Sequence, residues 1–324
     1  MIGVARRGAS RAACRGPAAA MRAALRGALP AALCAALAGA APPCGAQPPG
    51  TPSAVDDSGQ AVRLARPAAR IVSLAPGITE LLFDMGAGAQ VVAVSEYSDT
   101  PPEARALPRV SRAQGIDLEA IAALKPDLVV AWGSGYSPAL LESLRRLGSP
   151  VYIEEPRRLE DIATSIERLG ALAGAPRAAA LAGAFRLRLA QLRQRYAARP
   201  AVPVFYQVWS SPVMTLGGSH VASEVMQVCG ARNVFADLAP LVATVDVESV
   251  LAARPLVLAS AEPGAIDRGA LDLWRRYPQL PAVAQGNFVT LDADQMDRET
   301  PRVLDAAQQL CEAVERARHK QAAR

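Results

Sequence analysis

The chain repeats itself. Asp117-Leu118-Glu119-Ala120-Ile121-Ala122-Ala123-Leu124-Lys125-Pro126 aligns without a gap on Asp246-Val247-Glu248-Ser249-Val250-Leu251-Ala252-Ala253-Arg254-Pro255, and an apolar run follows each copy, Leu128 to Ala131 and Leu256 to Ala259. Upstream, Thr79-Glu80-Leu81-Leu82 leading to Gly86 is echoed by Ser223-Glu224-Val225-Met226 leading to Gly230. Two echoes in the same order predict two related lobes. In each copy an aspartate is placed to cap a helix, a basic residue and a proline stop it, and a strand follows. Strands alternating with helices predict an α/β fold with a parallel sheet covered by helices.

Residues 70–158 make the first lobe. Ile71 to Leu74 reads as a strand that breaks at Pro76-Gly77, and Thr79 opens a helix with Leu81, Leu82 and Met85 on its apolar face. A second strand, Val91 to Val94, runs into Glu96-Tyr97-Ser98-Asp99 and a Pro101-Pro102 turn, and a third ends at Trp132. Between the lobes, residues 159–199 are helical: Ile162, Ile166 and Leu169 suit one helix, and Leu181, Phe185, Leu189, Leu192 and Tyr196 recur at spacings of three and four. A helical connection restrains hinge opening more than a Gly/Ser linker would. The second lobe occupies 200–324, beginning with the strand Val204 to Val208; the polar tail from Glu315 is expected to fray.

The formal charge of +5 invites a nucleic-acid partner, but residues 1–46 hold six arginines and no acid, and subtracting those six from +5 leaves −1. The remainder has no basic footprint for nucleic acid. The arginines precede an apolar run from Ala28 to Ala41 and small residues at Ala38-Gly39-Ala40 and Cys44-Gly45-Ala46, which reads as a signal peptide over 1–46, with Met21 an alternative start. The run is shorter than the roughly 20 residues a membrane span needs. Residues 47–69, rich in Pro, Ser and Ala, are expected to be a partly ordered lead-in in which only a short segment near Ala61 to Leu64 could pair as a strand. Removal of the signal leaves Cys229 and Cys311. In an oxidising compartment an even pair suggests one disulfide; two buried free thiols are the other reading.

Catalytic signatures are missing. No phosphate-binding loop, H-E-x-x-H, C-x-x-C or G-x-S-x-G occurs. Two histidines, His220 and His319, are too few for a zinc or manganese receptor, so no metal site is expected. Tyr97, Trp132 and Trp209 fall at strand ends, where α/β folds bind ligands, and in a chain with only 4% aromatics that grouping points to a cleft for a large planar ligand. The polar run Asp292 to Arg298 reads either as a cleft rim or as the cap of a final helix beginning near Pro301. Glu119 and Glu248, one per lobe, sit in the first turn of equivalent helices. The helix dipole favours acids there whatever the function, and two equivalent carboxylates also suit two equivalent arginines on a symmetric partner.

The most specific stretches are S-x-YSD-x-PP at Ser95 to Pro102, QG-x-x-LE-x-I-x-ALKPDLV at Gln114 to Val129, V-C-G-x-x-N-x-F at Val228 to Phe235 and AAQQLC at Ala306 to Cys311. On these the chain resembles the cobalamin-binding periplasmic proteins of ABC importers, within the helical-backbone class of binding proteins, from about Arg70 to Val314. The resemblance implies two Rossmann-like lobes joined by a long rigid helix, with the ligand between them. It implies that Tyr97 and the loop Asp294, Gln295, Met296, Asp297 and Arg298 contact a corrinoid; Trp132 and Trp209 join them as further walls on their strand-end positions alone. It implies a Cys229–Cys311 disulfide and docking of Glu119 and Glu248 onto arginines of an inner-membrane permease dimer with its ATPase subunits. The expected protein is a periplasmic monomer with no cofactor of its own, cobalamin being cargo, and no enzymatic activity.

Two positions depart from the family: Ala113 and Val242 stand where tryptophans are expected. The same role with haem or a ferric siderophore as cargo is the alternative, with Arg112 and Arg298 as candidate anion contacts. An exported hydrolase using Ser219 and His220 is a remote one, since no third orienting group can be named.

Overall fold

A computed structural model describes residues 51–112 and 115–323, the side chain of Arg112 excepted. The expected signal peptide, Ala113 and the possible anion contact of Arg112 lie outside the described atoms.

The chain opens with a hairpin of β1 (Ser53–Val55) and β2 (Ala61–Arg63). It is no loose lead-in. Asp56 and Asp57 in its turn accept hydrogen bonds from the backbone N–H groups of Ile153 (3.1 Å) and Glu155 (2.7 Å), and Asp57 also pairs with Arg168 at 2.8 Å. Strand β2 falls within Ala61 to Leu64, where the sequence offers a strand, whereas β1 carries too little periodicity to be read from sequence.

The first lobe contains β3 (Ile71–Ser73), α1 (Pro76–Asp84), β4 (Val91–Ser95), β5 (Arg109–Arg112), β6 (Gly115–Ile116), α2 (Leu118–Ala123), β7 (Leu128–Trp132), α3 (Pro138–Arg145) and β8 (Val151–Glu154). Its sheet runs β6-β5-β4-β3-β7-β8, parallel except for β6. Helix α1 starts at Pro76, three residues before the expected Thr79. Proline at the first helical position gives up no hydrogen bond, so Pro76-Gly77 begins the helix instead of delaying it.

Two helices then pack against each other, α4 (Leu159–Ala173) and α5 (Ala178–Tyr196). At Gly170 they leave no room for a side chain, since a Cβ there would fall 2.2 Å from that of Ala178. Helix α5 is the bridge. The Arg177 N–H before it donates to Met85 in the first lobe (3.1 Å), and its last turn buries Tyr196 and pairs Arg193 with Glu224 of the second lobe at 2.7 Å.

The second lobe contains β9 (Val202–Ser210), β10 (Val213–Leu216), α6 (Val221–Val228), β11 (Ala231–Asn233), β12 (Val242–Thr244), α7 (Val247–Ala253), β13 (Val257–Glu262), α8 (Pro281–Ala284), β14 (Phe288–Asp292), α9 (Ala293–Met296) and α10 (Val303–Ala322). Its sheet runs β12-β10-β9-β13-β14, with β11 beside the first half of β9. Strand β10 is antiparallel to both neighbours, while β9, β13 and β14 are parallel. Cys229, at the end of α6, is disulfide-bonded to Cys311 in α10 with a Cα separation of 4.4 Å, which leaves no place for the free-thiol reading. The expected frayed tail is instead helical and anchored: Arg318 donates to the carbonyls of Pro200 and Gly230, and Lys320 to Gln285 and Asn287.

One hydrophobic core crosses both lobes, from Ile71 and Leu82 through Leu169 and Phe185 to Val225 and Leu310. Smaller clusters lie on the far faces, one around Val72 and Leu144, the other around Phe205 and Trp274, whose rings meet edge to face at 5.3 Å. Because the lobes share their core with α4 and α5, opening them would expose apolar surface at roughly 25 cal/mol per Å².

Candidate ligand cleft

The carboxyl ends of the parallel strands in both sheets face one cleft. On the first-lobe side these are the ends of β3 (Ala75), β7 (Trp132) and β8 (Glu154); on the other they are the ends of β9 (Trp209), β13 (Glu262) and β14, which leads into Asp294. Two hollows of about 330 and 460 Å³ share Asp297 in their walls, and a narrow neck, lined by Trp132, Arg157, His220 and Glu299, adjoins the first. Ligand sites in open α/β sheets sit at these strand ends because the loops there are free to vary while the sheet holds them in place.

Tyr97 follows β4 with a φ of 63°, and it is 68% exposed. A tyrosine in the left-handed region is strained, and its surroundings have to hold it there. Beneath it Ser95, Ser98, Thr79 and Ser73 form a buried chain of hydroxyl contacts at 2.8–3.2 Å. Arg109 donates to the carbonyls of Ser95 and Ser98 and pairs with Asp99 at 2.8 Å. The ring is thus presented outward from a rigid base.

Trp132 and Trp209 end β7 and β9, 39% and 61% exposed; Trp132 shares the first hollow with Asp294 and Arg298 of the second lobe, and Trp209 lines the second hollow. The Trp132 ring folds back over Gly135, where any side chain would collide with it at 2.3 Å. Trp209 donates its indole N–H to the Ser211 carbonyl (2.9 Å), which leaves the ring faces free.

The run after β14 divides. Asp294, Asp297 and Arg298 line the cleft, whereas Met296 is buried in the core at 3% exposure. The expectation that all five residues from Asp294 to Arg298 face the ligand is corrected at Met296, because the turn of α9 points it inward. Gln295 is half-buried, and its Oε1 lacks a partner away from the cleft walls. Arg298 is held by Asp294 at 2.7 Å, with Glu80 at 3.6 Å. Asp297 is open to cleft water but ringed by protein; the loss of solvation, reinforced by Asp294 and Asp292 and offset by the Tyr206 hydroxyl, raises its pKa to about 6.

Deeper in the first hollow lie two acids that sequence reasoning missed, Glu154 and Glu299. Glu154 is 3% exposed, its Oε1 has no hydrogen-bond partner, and burial followed by the Glu299 charge pushes its pKa well up. Burial raises Glu299 to about 7, with Glu155 and Asp297 adding to the rise. They are 145 positions apart, and no local pattern marks either of them.

Away from the cleft, Glu119 and Glu248 are exposed in the first turns of α2 and α7, behind N-caps whose side chains accept from Ala120 (2.8 Å) and Ser249 (2.6 Å). Among the described residues neither acid enters an ion pair. His220 is itself an N-cap: its Nδ1 accepts from the Ala222 N–H at 3.1 Å, and burial, aided by Arg157, lowers its pKa to about 4. With that nitrogen occupied, and no bond from Ser219 to the ring, the Ser219–His220 pair lacks the geometry of a nucleophile and base. Val242 is exposed on β12.

Residues 71–295 match the periplasmic binding protein family. A vitamin B12-binding protein of Vibrio cholerae serotype O1 is 42% identical over 247 residues, covering 76% of this chain and 88% of that one. The crystal structure of the periplasmic vitamin B12 binding protein BtuF of Vibrio cholerae superposes with a TM-score of 0.71 at 40% identity, over 78% of this chain and 98% of the other. The periplasmic heme-binding protein RhuT from Roseiflexus sp. RS-1 gives a TM-score of 0.66 at 27% identity, over 77% and 99%. A family match over more than two-thirds of the sequence agrees with the two-lobed architecture and its strand-end cleft, and the chain belongs to the periplasmic binding protein family.

Proposed function

We propose that this protein captures cobalamin or a related corrinoid in the interlobe cleft and delivers it to an inner-membrane ABC importer, performing no chemistry itself. The observation that carries this reading is the cleft at the strand ends of both sheets, lined by exposed Trp132 and Trp209. Their exposed ring faces suit the faces and edges of a broad macrocycle, and Tyr97, 68% exposed after β4, is the third aromatic assigned to it. The vitamin B12-binding relatives support that cargo. Asp294, Asp297 and Arg298 orient the ligand, and Glu119 and Glu248 dock the loaded protein on the permease dimer. The protein acts in the periplasm after removal of its leader.

Haem is the second reading, because a heme-binding protein shares the fold at 27% identity. It ranks second on identity and not on the cleft, where Arg157 and Arg268 as well as Arg298 line the walls and are available to a propionate.

Calorimetric titration of the protein beginning at Gln47 with cyanocobalamin, haemin and a ferric siderophore tests the assignment. Saturable one-to-one binding of cyanocobalamin alone is the expected result. Binding of haemin or the siderophore without cobalamin would replace the cargo.

A further inference from the structure

We propose that Glu155 is a positioning residue of the ligand cleft, holding the Trp132 ring in place through the loop that follows β7, and that the β1–β2 hairpin belongs to the binding site because it fixes Glu155. This rests on the corrinoid reading above and names what sets the shape of one of its walls.

Trp132 opens a short loop, Trp132-Gly133-Ser134-Gly135, and borders both the first hollow and the neck. Two bonds pin that loop to the chain leaving β8. The Gly133 N–H donates to the Glu154 carbonyl at 3.0 Å, and the Ser134 N–H donates to Glu155 Oε2. The approach leaves Gly133 no room for a side chain, since a Cβ there would lie 2.9 Å from Glu155 Oε2 and 3.1 Å from the Ile153 side chain. The same turn brings Gly135 under the indole. Where Trp132 sits is thus decided by where Glu155 stands. Glu155 Oε1 lies 3.4 Å from the Arg157 guanidinium, so one carboxylate joins two parts of the neck wall.

Glu155 is itself held by the hairpin. Its N–H donates to Asp57 Oδ2 at 2.7 Å, the Asp57 N–H donates to the Ile153 carbonyl at 3.0 Å, and Asp57 Oδ1 pairs with Arg168 of α4 at 2.8 Å. Beside it Asp56 Oδ2 accepts from the Ile153 N–H at 3.1 Å. The side chains of Asp57 and Glu155 are each 14% exposed, and hydrogen bonds to ionised groups are stronger than bonds between neutral ones. The hairpin precedes residues 71–295, the segment that matches the family, so the family match alone gives it no role. A ring fixed before the ligand arrives spares binding the entropy of ordering it, and loosening this brace should lower affinity without removing any contact.

Equilibrium dialysis with cyanocobalamin tests this on Glu155→Ala, Glu155→Gln and Asp57→Asn, each made in the wild-type and in a Trp132→Ala background. Glu155→Ala should weaken binding about three- to tenfold, and Asp57→Asn, of nearly unchanged size, about two- to fivefold. Glu155→Gln, whose carbonyl still accepts from Ser134, should stay within about twofold of wild type. In the Trp132→Ala background the first two substitutions should cost less than about twofold, because the ring they position is gone. Losses of equal size in both backgrounds, or wild-type affinity in Glu155→Ala, overturn the proposal; if Glu155→Ala does not fold, the Asp57→Asn cycle decides in the same way. A second readout needs no ligand. In protein labelled with fluorotryptophan, the fluorine resonance that vanishes in Trp132→Ala should shift or broaden in Glu155→Ala and Asp57→Asn while that of Trp274 holds. If wild type binds no cobalamin, the cargo assignment has failed and this spectrum alone decides: a Trp132 resonance unmoved in both variants refutes the positioning role.

Discussion

Glu80 and Glu224 hold equivalent places in the two lobes, and each reaches out of its own lobe to grip another part of the molecule. Glu80, 1% exposed on α1, accepts from the Thr300 hydroxyl (2.9 Å) and from Arg302 (3.1 Å) at the start of α10. Glu224, on α6, accepts from the Leu159 N–H (2.6 Å) at the start of α4 and from Arg193 (2.7 Å) on α5. The repeated acid is therefore the joint of the fold. It ties lobe to lobe in one copy and lobe to bridge in the other.

Removing one partner from a buried, charge-assisted set leaves the others unsatisfied. Glu80→Ala should lower unfolding free energy by about 3 kcal/mol, and Glu224→Ala, at a more exposed site, by about 1–2 kcal/mol. Urea denaturation followed by far-UV circular dichroism measures both. An unchanged midpoint for Glu80→Ala would mean that the lobes are held by the shared core alone.

The tryptophans separate ligand contact from packing. Trp209 is 61% exposed, whereas Trp274 is fully buried, edge to face with Phe205 and bonded through its indole N–H to Gln207 at 2.8 Å. Trp209→Ala should leave stability within about 0.5 kcal/mol and weaken cyanocobalamin binding roughly five- to thirtyfold. Trp274→Ala should cost about 3–5 kcal/mol of stability. Calorimetric titration and thermal melts on the two variants check both halves; a Trp209→Ala protein with wild-type affinity removes that ring from the ligand wall.

These contrasts mark what the sequence could and could not reveal. The lobes were legible because Asp117–Pro126 and Asp246–Pro255 repeat a complete cap, helix and stop, each encoded within ten residues. Tyr97 was legible because a strand visibly ended before it. Glu154 and Glu299 were not, since each acquires its environment only when segments far apart in sequence meet, and neither stands out as an acid among acids. Met296 shows the converse: it lies in a polar run that reads as a rim, and one turn of helix carries it into the core.

Glu119 and Glu248 lie in the first turns of α2 and α7, helices that follow edge strands in the two sheets, and both are exposed. Replacing both with alanine should leave ligand affinity and melting temperature near wild type, since neither group is buried or paired among the described residues. Vitamin uptake by cells should nevertheless fall about tenfold or more, because each docking charge is worth about 1–2 kcal/mol at an interface. Retained uptake at wild-type rate would remove these acids from the permease contact.

Acid titration gives the ligand-free protein a pH dependence with a definite sign. Glu299, raised from 4.5 to about 7, and Asp297, raised from 3.8 to about 6, bind protons more tightly folded than unfolded. Their contribution is complete below the unfolded pKa values and is lost as pH rises through 6 and 7. His220 works the other way: lowered to about 4 from 6.5, it takes up a proton more readily in the unfolded chain, so stability falls as pH drops from 6.5 towards 4. Unfolding free energy should therefore decline as pH rises from about 4.5 to 7, each acid contributing up to about 1.4 kcal/mol per pH unit, with His220 offsetting part of that slope between pH 4 and 6.5. Glu299→Gln should remove its share of the decline between pH 4.5 and 7, whereas His220→Asn, which keeps a capping side chain, should steepen the decline between pH 4 and 6.5. Urea titrations at half-unit pH intervals measure both slopes, and a Glu299→Gln profile as steep as that of wild type would show that Glu299 is already ionised throughout that range.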